Sequence, residues 1–209
     1  MAAYLFSFVV PYLLAAIVVG FLLRAAGMMI SKRPGKLLVI CIPLTLIFLP
    51  VKQVPMARFL IGLNANFSIP LTAVLLSFFL RNIQGVQLLD RTALRTMSIL
   101  GLALGLALYP SAMNLVPFDL YQLGWGSSLM LALLFLLTIF LILAGNRAGF
   151  VLAACVAAYA LKLLESDNLW DYLADPFLIA WCLITAIVEC LRVCRKEVSL
   201  TGYEDVVSR

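Results

Sequence analysis

Seven runs of apolar residues, each 15 to 20 long, decide what this chain can fold into. They cover residues 4–23, 37–51, 66–80, 97–113, 127–144, 148–164 and 176–191. A helix needs about 20 apolar residues to cross about 30 Å of hydrocarbon, with a working range of about 17–25. The connections between the runs are short, and 65% of the 209 residues are hydrophobic, 12% are charged and the mean hydropathy is +1.11. A soluble domain carries about 45–50% apolar and about 25% charged residues. The composition therefore excludes a water-soluble domain, a disordered chain, a nucleic-acid-binding module and a disulfide-framed secreted domain. The expected fold class is all-α: a polytopic transmembrane helix bundle of about seven spans over residues 1–191, followed by a cytosolic tail, 192–209.

Two runs test the seven-span count. Residues 37–51 and 66–80 reach only about 22 Å each at 1.5 Å per residue. They read either as full crossings in a thinned bilayer or as a re-entrant pair. Between them, 52–65 is half apolar, with Val54, Met56, Phe59, Leu60, Ile61 and Leu63. This is the composition of an amphipathic segment lying in the interface. Pro11, Pro43 and Pro70 fall in the first three runs, where each removes a backbone donor and is expected to bend its helix. No internal repeat is visible, which weakens an inverted-repeat transporter.

Charge sets the orientation. Of fifteen Lys and Arg, twelve lie in the segments that face one side when the N-terminus is outside: Arg24, Lys32, Arg33, Lys36, Arg81, Arg91, Arg95, Arg147, Arg192, Arg195, Lys196 and Arg209. Only Lys52, Arg58 and Lys162 fall on the other side. Basic loops stay cytosolic, so the expected topology is N-terminus out and C-terminus in. Met1-Ala2-Ala3 carries no basic residue ahead of the first run, and no cleaved signal peptide is expected. The expected location is a plasma membrane, the bacterial inner membrane above all, with the chain multi-pass.

The outer segments have their own chemistry. Their acids are Asp119, Glu165, Asp167, Asp171 and Asp175, and Tyr4, Tyr109, Tyr121, Trp125, Trp170 and Tyr172 gather at the same level. Trp and Tyr favour the headgroup region on both sides of a bilayer, yet the inner side has almost none, and this asymmetry points to docking or headgroup binding. The candidate outer-face binding residues are Arg58, Asn64, Asp119, Tyr121, Trp125, Trp170, Asp171 and Tyr172. Arg58 offers forked donors to a phosphate or carboxylate, including an anionic lipid headgroup. An arginine there also snorkels to lipid phosphates without any specific role. Glu165, Asp167, Asp171 and Asp175 could hold a divalent cation, although solvated surface charge is the simpler reading. Lys162 and Glu165, and Glu189 and Arg192, stand at i, i+3 and are expected to pair at the ends of their spans. Gly101 and Gly105 form a GxxxG, which lets helices approach closely.

Missing residues exclude more. The chain has no histidine. That removes His-based zinc sites, Ser-His and Cys-His nucleophile pairs and histidine haem ligation. No phosphate-binding glycine loop is present, no cofactor or metal is expected, and the five cysteines read as isolated thiols, with Cys190 and Cys194 sharing a helix face. The expected function is a non-enzymatic accessory subunit that docks a partner enzyme or transporter in the membrane, in lipid-linked glycan or cell-envelope assembly. The alternative is a small transporter or lipid flippase. A third reading is a headgroup enzyme at the outer interface, with Arg58 on the phosphate and Asp119 or Asp171 as base. A transporter predicts polar groups facing each other across mid-membrane, the enzyme predicts Arg58 converging with an acid, and a subunit predicts an exposed, shaped apolar face.

Overall fold

The computed structural model describes residues 2–30, 32–126 and 128–207, with side chains up to Val193. The chain is helical apart from its connections and one small hairpin. In order come α1 (Ala2–Phe6), α2 (Val9–Ala25), α3 (Arg33–Phe48), the hairpin β1 (Pro50–Val51) and β2 (Val54–Pro55), and α4 (Ala57–Leu63). Then follow α5 (Ile69–Gln84), α6 (Arg91–Ala112), a 3₁₀ turn (Tyr121–Gly124), α7 (Ser128–Leu143), α8 (Ala148–Ala160), α9 (Leu169–Leu173) and α10 (Pro176–Val207). Among the described residues, three helices are long and apolar enough to cross a membrane: Ala2–Ala25 as one unit, Arg91–Ala112 and Pro176–Val193. Ile69–Gln84, Ser128–Leu143 and Ala148–Ala160 are apolar but shorter. The side chains of Cys194 and of the tail, and the whole of Ser127 and Arg209, lie outside the described residues, so the Cys190–Cys194 face and the tail's chemistry lie there too.

The prolines act differently from one another. The helix is interrupted at Ser7–Phe8, one turn before Pro11, whose missing N–H would have bonded Ser7. Pro43 lies within α3, buried. Pro70 does not bend a span: it occupies the first turn of α5, where a proline loses no bond, and Ser68 caps that turn through its side chain to Leu71 N–H at 3.3 Å. Residues 52–65 fold as the hairpin, with Lys52 and Gln53 at positive φ, followed by α4. Ala57 and Ile61 turn inward there, while Met56, Phe59 and Leu63 stay exposed.

Packing contacts run α3–α2–α5–α8–α7, and α6 and α10 form a close pair against the middle of this row. Val10 and Leu13 of α2, Leu71 and Leu75 of α5, and Leu178 and Cys182 of α10 share one buried cluster. The larger cluster is built around α8, whose Ala148, Cys155 and Ala158 are buried against α5, α6, α7 and α9. Lipid tails are as apolar as leucine, so helices in a bilayer associate by close packing, which small side chains permit. The Ala-rich sequence AGFVLAACVAAYA is thus what makes α8 the hub. By contrast α7, apolar all round, packs chiefly on α8 and leaves Leu129, Leu136, Phe140 and Leu143 exposed. In water such a surface would aggregate; in lipid it is at rest.

Hydrogen bonds between elements sort the helix ends into two groups. At one end Arg24 reaches the carbonyl of Asn82, Arg147 reaches those of Gln87 and Leu88, and Asn146 donates to Thr96. At the other, Ser68 N–H meets Asp175, Glu165 N–H meets Asn66, and the 121–124 turn meets 168–171. The first is a basic end and the second an acidic one, and α5 runs from the acidic end to the basic end.

Candidate functional site

The acidic end is a cap built from residues 111–126 and 164–177, and its buried polar side chains, Ser111, Asn168, Tyr172 and Asp175, all bond the chain's own backbone. Asn168, fully buried, donates through Nδ2 to the carbonyl of Tyr121 at 3.1 Å and accepts Trp170 N–H through Oδ1 at 3.0 Å. Trp170 Nε1–H donates to the carbonyl of Leu120 at 2.9 Å. Ser111 Oγ accepts Leu120 N–H at 2.7 Å, and Asp119 accepts Tyr121 N–H at 2.9 Å. Gly124 lets the two segments meet, since a Cβ there would collide with the Asn168 amide and the Trp170 ring. Buried backbone polar groups must be paired, and in this cap side chains pair several that the 3₁₀ turn and the short α9 do not.

Two acids hold the cap in different ways. Asp175 is 4% exposed and accepts three backbone N–H groups: Ser68 at 2.8 Å, Phe177 at 2.8 Å and Leu178 at 3.0 Å. It caps α10 and clamps it to the start of α5, with its negative charge at the positive pole of α10. Asp171 accepts the Tyr121 hydroxyl through both oxygens, at 2.9 and 3.1 Å. Burial and then this carboxylate push the Tyr121 phenol up to about 12.

The candidate binding residues separate into three groups. Asp119, Tyr121, Trp170 and Asp171 come together in the cap, as above. Tyr172 points inward: its ring is fully buried edge-on to Tyr159, and its hydroxyl donates to Ser166 O and accepts Leu164 N–H. Burial raises its phenol pKa, and the Leu164 bond opposes this. Trp125 is exposed beside it. Arg58 stands apart from the cap, its guanidinium 4.5 Å from the Tyr4 ring centre and 5.7 Å from that of Phe8. Asn64 turns its side-chain oxygen to Asn66 N–H at 3.1 Å, and its amide nitrogen is buried without a hydrogen-bond partner.

Two expected ion pairs are corrected. Lys162 pairs with Asp167 at 3.1 Å, not with Glu165, because α8 stops at Ala160 and Lys162 takes φ +50°, which ends the helical i, i+3 spacing. Asp167 raises the Lys162 pKa, first by the hydrogen bond and then by its charge. Glu189 and Arg192 are exposed on α10 and do not meet within ion-pair distance. Among the described residues, no three His, Cys, Asp or Glu side chains converge on a metal position. Asp167, Asp171 and Asp175 each have a different partner. Gly101 and Gly105 face α10, where a Cβ on Gly101 would stand 2.5 Å from Cys182 Sγ and one on Gly105 3.1 Å from Ile179.

Asn168 and Asp175 carry much of the cap, and neither was among the sequence candidates. Their signal is local: Asp175-Pro176 is a helix cap followed by proline in the first turn, and Asn168 precedes an apolar run. Comparison with protein families, with curated proteins and with solved structures finds no match to this chain.

Proposed function

We propose that this protein is a non-enzymatic, multi-pass subunit of a plasma membrane that docks a partner enzyme or transporter. Its seven spans run with the N-terminus and the acidic end outside and the basic end in the cytosol. The grouping of Arg24, Arg81, Arg91 and Arg147 near one end supports that orientation through the preference of basic loops for the cytosol. Lipid-linked glycan or envelope assembly is the setting such a small subunit suits.

One observation carries the docking reading. A cleft of about 810 Å³ opens along α2 between α3 and α4, and every side chain lining it is apolar. On α2 it follows Pro11, Leu14, Ala15, Val18, Val19 and Leu22, a stripe at helical spacing about 16 Å long. Stripes of this kind receive a facing helix. Arg58 faces Tyr4 and Phe8, which favours the subunit over the enzyme that needed Arg58 beside an acid. Ser98 and Thr138, buried within α6 and α7, bond backbone carbonyls, which supplies no polar path for a transporter.

The test is extraction of the tagged full chain in mild detergent, followed by native mass measurement. One stoichiometric membrane protein is expected to co-purify, and Val18→Trp, which fills the cleft from an exposed position, to release it at least about tenfold, worth about 1.4 kcal/mol. A clean monomer or homo-oligomer overturns the reading.

A further inference from the structure

A second cleft has a different character. Below the cap, α6 and α7 diverge around a slot of about 220 Å³ lined by Met97, Leu100 and Leu104 of α6 and Met130, Leu133 and Leu137 of α7. Trp170 lines this slot and also a second cavity of about 150 Å³ one to two turns further along α6. That upper cavity is lined by Tyr109, Tyr121, Trp170, Asp171 and Asp175, with no lysine or arginine among its lining residues. Asp175 has backbone partners for both oxygens, whereas Asp171 is bonded by the neutral Tyr121 hydroxyl and pairs with no cation.

Aromatic faces and an uncompensated carboxylate attract a cation, and the attraction grows when the site is partly desolvated. The apolar slot beneath excludes a small hydrated metal ion as the complete ligand and fits a hydrocarbon chain. We propose that this two-part cleft binds one membrane lipid with an ammonium headgroup, of the phosphatidylethanolamine class. The ammonium sits among Tyr109, Tyr121, Trp170 and Asp171, and an acyl chain descends between α6 and α7. Charge complementarity selects this occupant over phosphatidylglycerol, which carries the same phosphate but no ammonium to meet the Asp171 carboxylate. The site lies away from the α2 cleft, so it stands or falls independently of partner docking.

The experiment is native mass spectrometry of the full chain in detergent, titrated with palmitoyl-oleoyl phosphatidylethanolamine or the matching phosphatidylglycerol. One phosphatidylethanolamine per chain is expected to stay bound, with preference over phosphatidylglycerol of about tenfold, the scale of a partly desolvated cation–π site. Asp171→Asn keeps the Tyr121 hydrogen bond and removes the charge, and is expected to abolish most of that preference. Tyr109→Leu removes a ring that has no side-chain hydrogen bond, so it carries the test if Asp171→Asn loses its helical content. Leu104→Trp fills the slot and is expected to weaken retention of the lipid. Soluble phosphoethanolamine at the same concentration is expected not to compete. Equal binding of the two lipids, an unchanged preference in both headgroup variants, unchanged retention in Leu104→Trp, or full competition by phosphoethanolamine overturns the proposal.

Discussion

Single side chains hold this protein's acidic end together, and Asp175 holds the most. Its carboxylate caps α10 and ties it to Ser68, so Asp175→Ala leaves three backbone donors to find water in a closed site. A loss of about 2–4 kcal/mol is expected from the cap and the orphaned donors together, read as a lower unfolding midpoint in detergent. Asp175→Asn keeps an acceptor and is expected to lose less. Tyr121 makes a second prediction. Its folded pKa of about 12 lies above the ordinary 10.0, so the folded chain holds that proton more tightly than the unfolded one. The resulting stability is fully present below about pH 10 and is lost as pH rises toward 12. Ultraviolet titration is expected to show Tyr121 among the last tyrosinates to appear, and Asp171→Asn to bring it earlier. The sequence marks Tyr121, Trp170 and Asp171 as a group, and the structure joins them. It does not reveal that Tyr172 turns inward, because α9 is a single short helix whose facing depends on Tyr159, 13 positions earlier and on another element. Asp175-Pro176 was legible as a helix start and was hidden by being counted among the acids.

Among whole elements, the apolar runs predict the helices well and their ends less well. The run 148–164 is read as one span, but α8 stops at Ala160, where Leu161–Lys162 turn and the cap begins. Hydropathy continues past that point because Leu163 and Leu164 pack under the cap, so a hydropathy window cannot register the stop. The neighbours of each helix were also beyond the sequence, except where small residues betray a close approach, as at Gly101 and Gly105. There the α6–α10 contact makes a graded prediction. Gly101→Leu drives a side chain into Cys182 and is expected to destabilise the bundle by about 1–3 kcal/mol or more, the scale of overpacking. Gly105→Ala adds one methyl that meets the Ile179 side chain at 3.1 Å and is expected to be milder. Reversed ranking in thermal unfolding would show that the α6–α10 seam yields at Gly101 instead.

For the molecule as a whole, charge and hydrogen bonding give the same division from independent sources. Counting basic loops separates the two ends without any coordinates, while Arg24–Asn82, Arg147–Leu88 and Ser68–Asp175 separate them without any rule about membranes. Under the seven spans proposed above, α5 reaches both ends in 16 residues, about 24 Å at 1.5 Å each, and α8 does so in 13, about 20 Å. Both fall short of about 30 Å of hydrocarbon. In that seven-span reading the cap and the 86–89 loop sit partly at hydrocarbon depth, which is tolerated only where backbone groups are paired within protein. The cap's dense internal hydrogen bonding meets that condition. Cysteines introduced singly at Gln122 and Gln87, both exposed, test the resulting orientation in a background where Cys41, Cys190 and Cys194 are serine. In right-side-out membranes a membrane-impermeant maleimide is expected to label Gln122→Cys, and to label Gln87→Cys only after the membrane is opened. Labelling of both from one side would mean that α6, the helix between the two positions, does not cross the bilayer, and the opposite order would place the acidic end in the cytosol against the basic-loop preference.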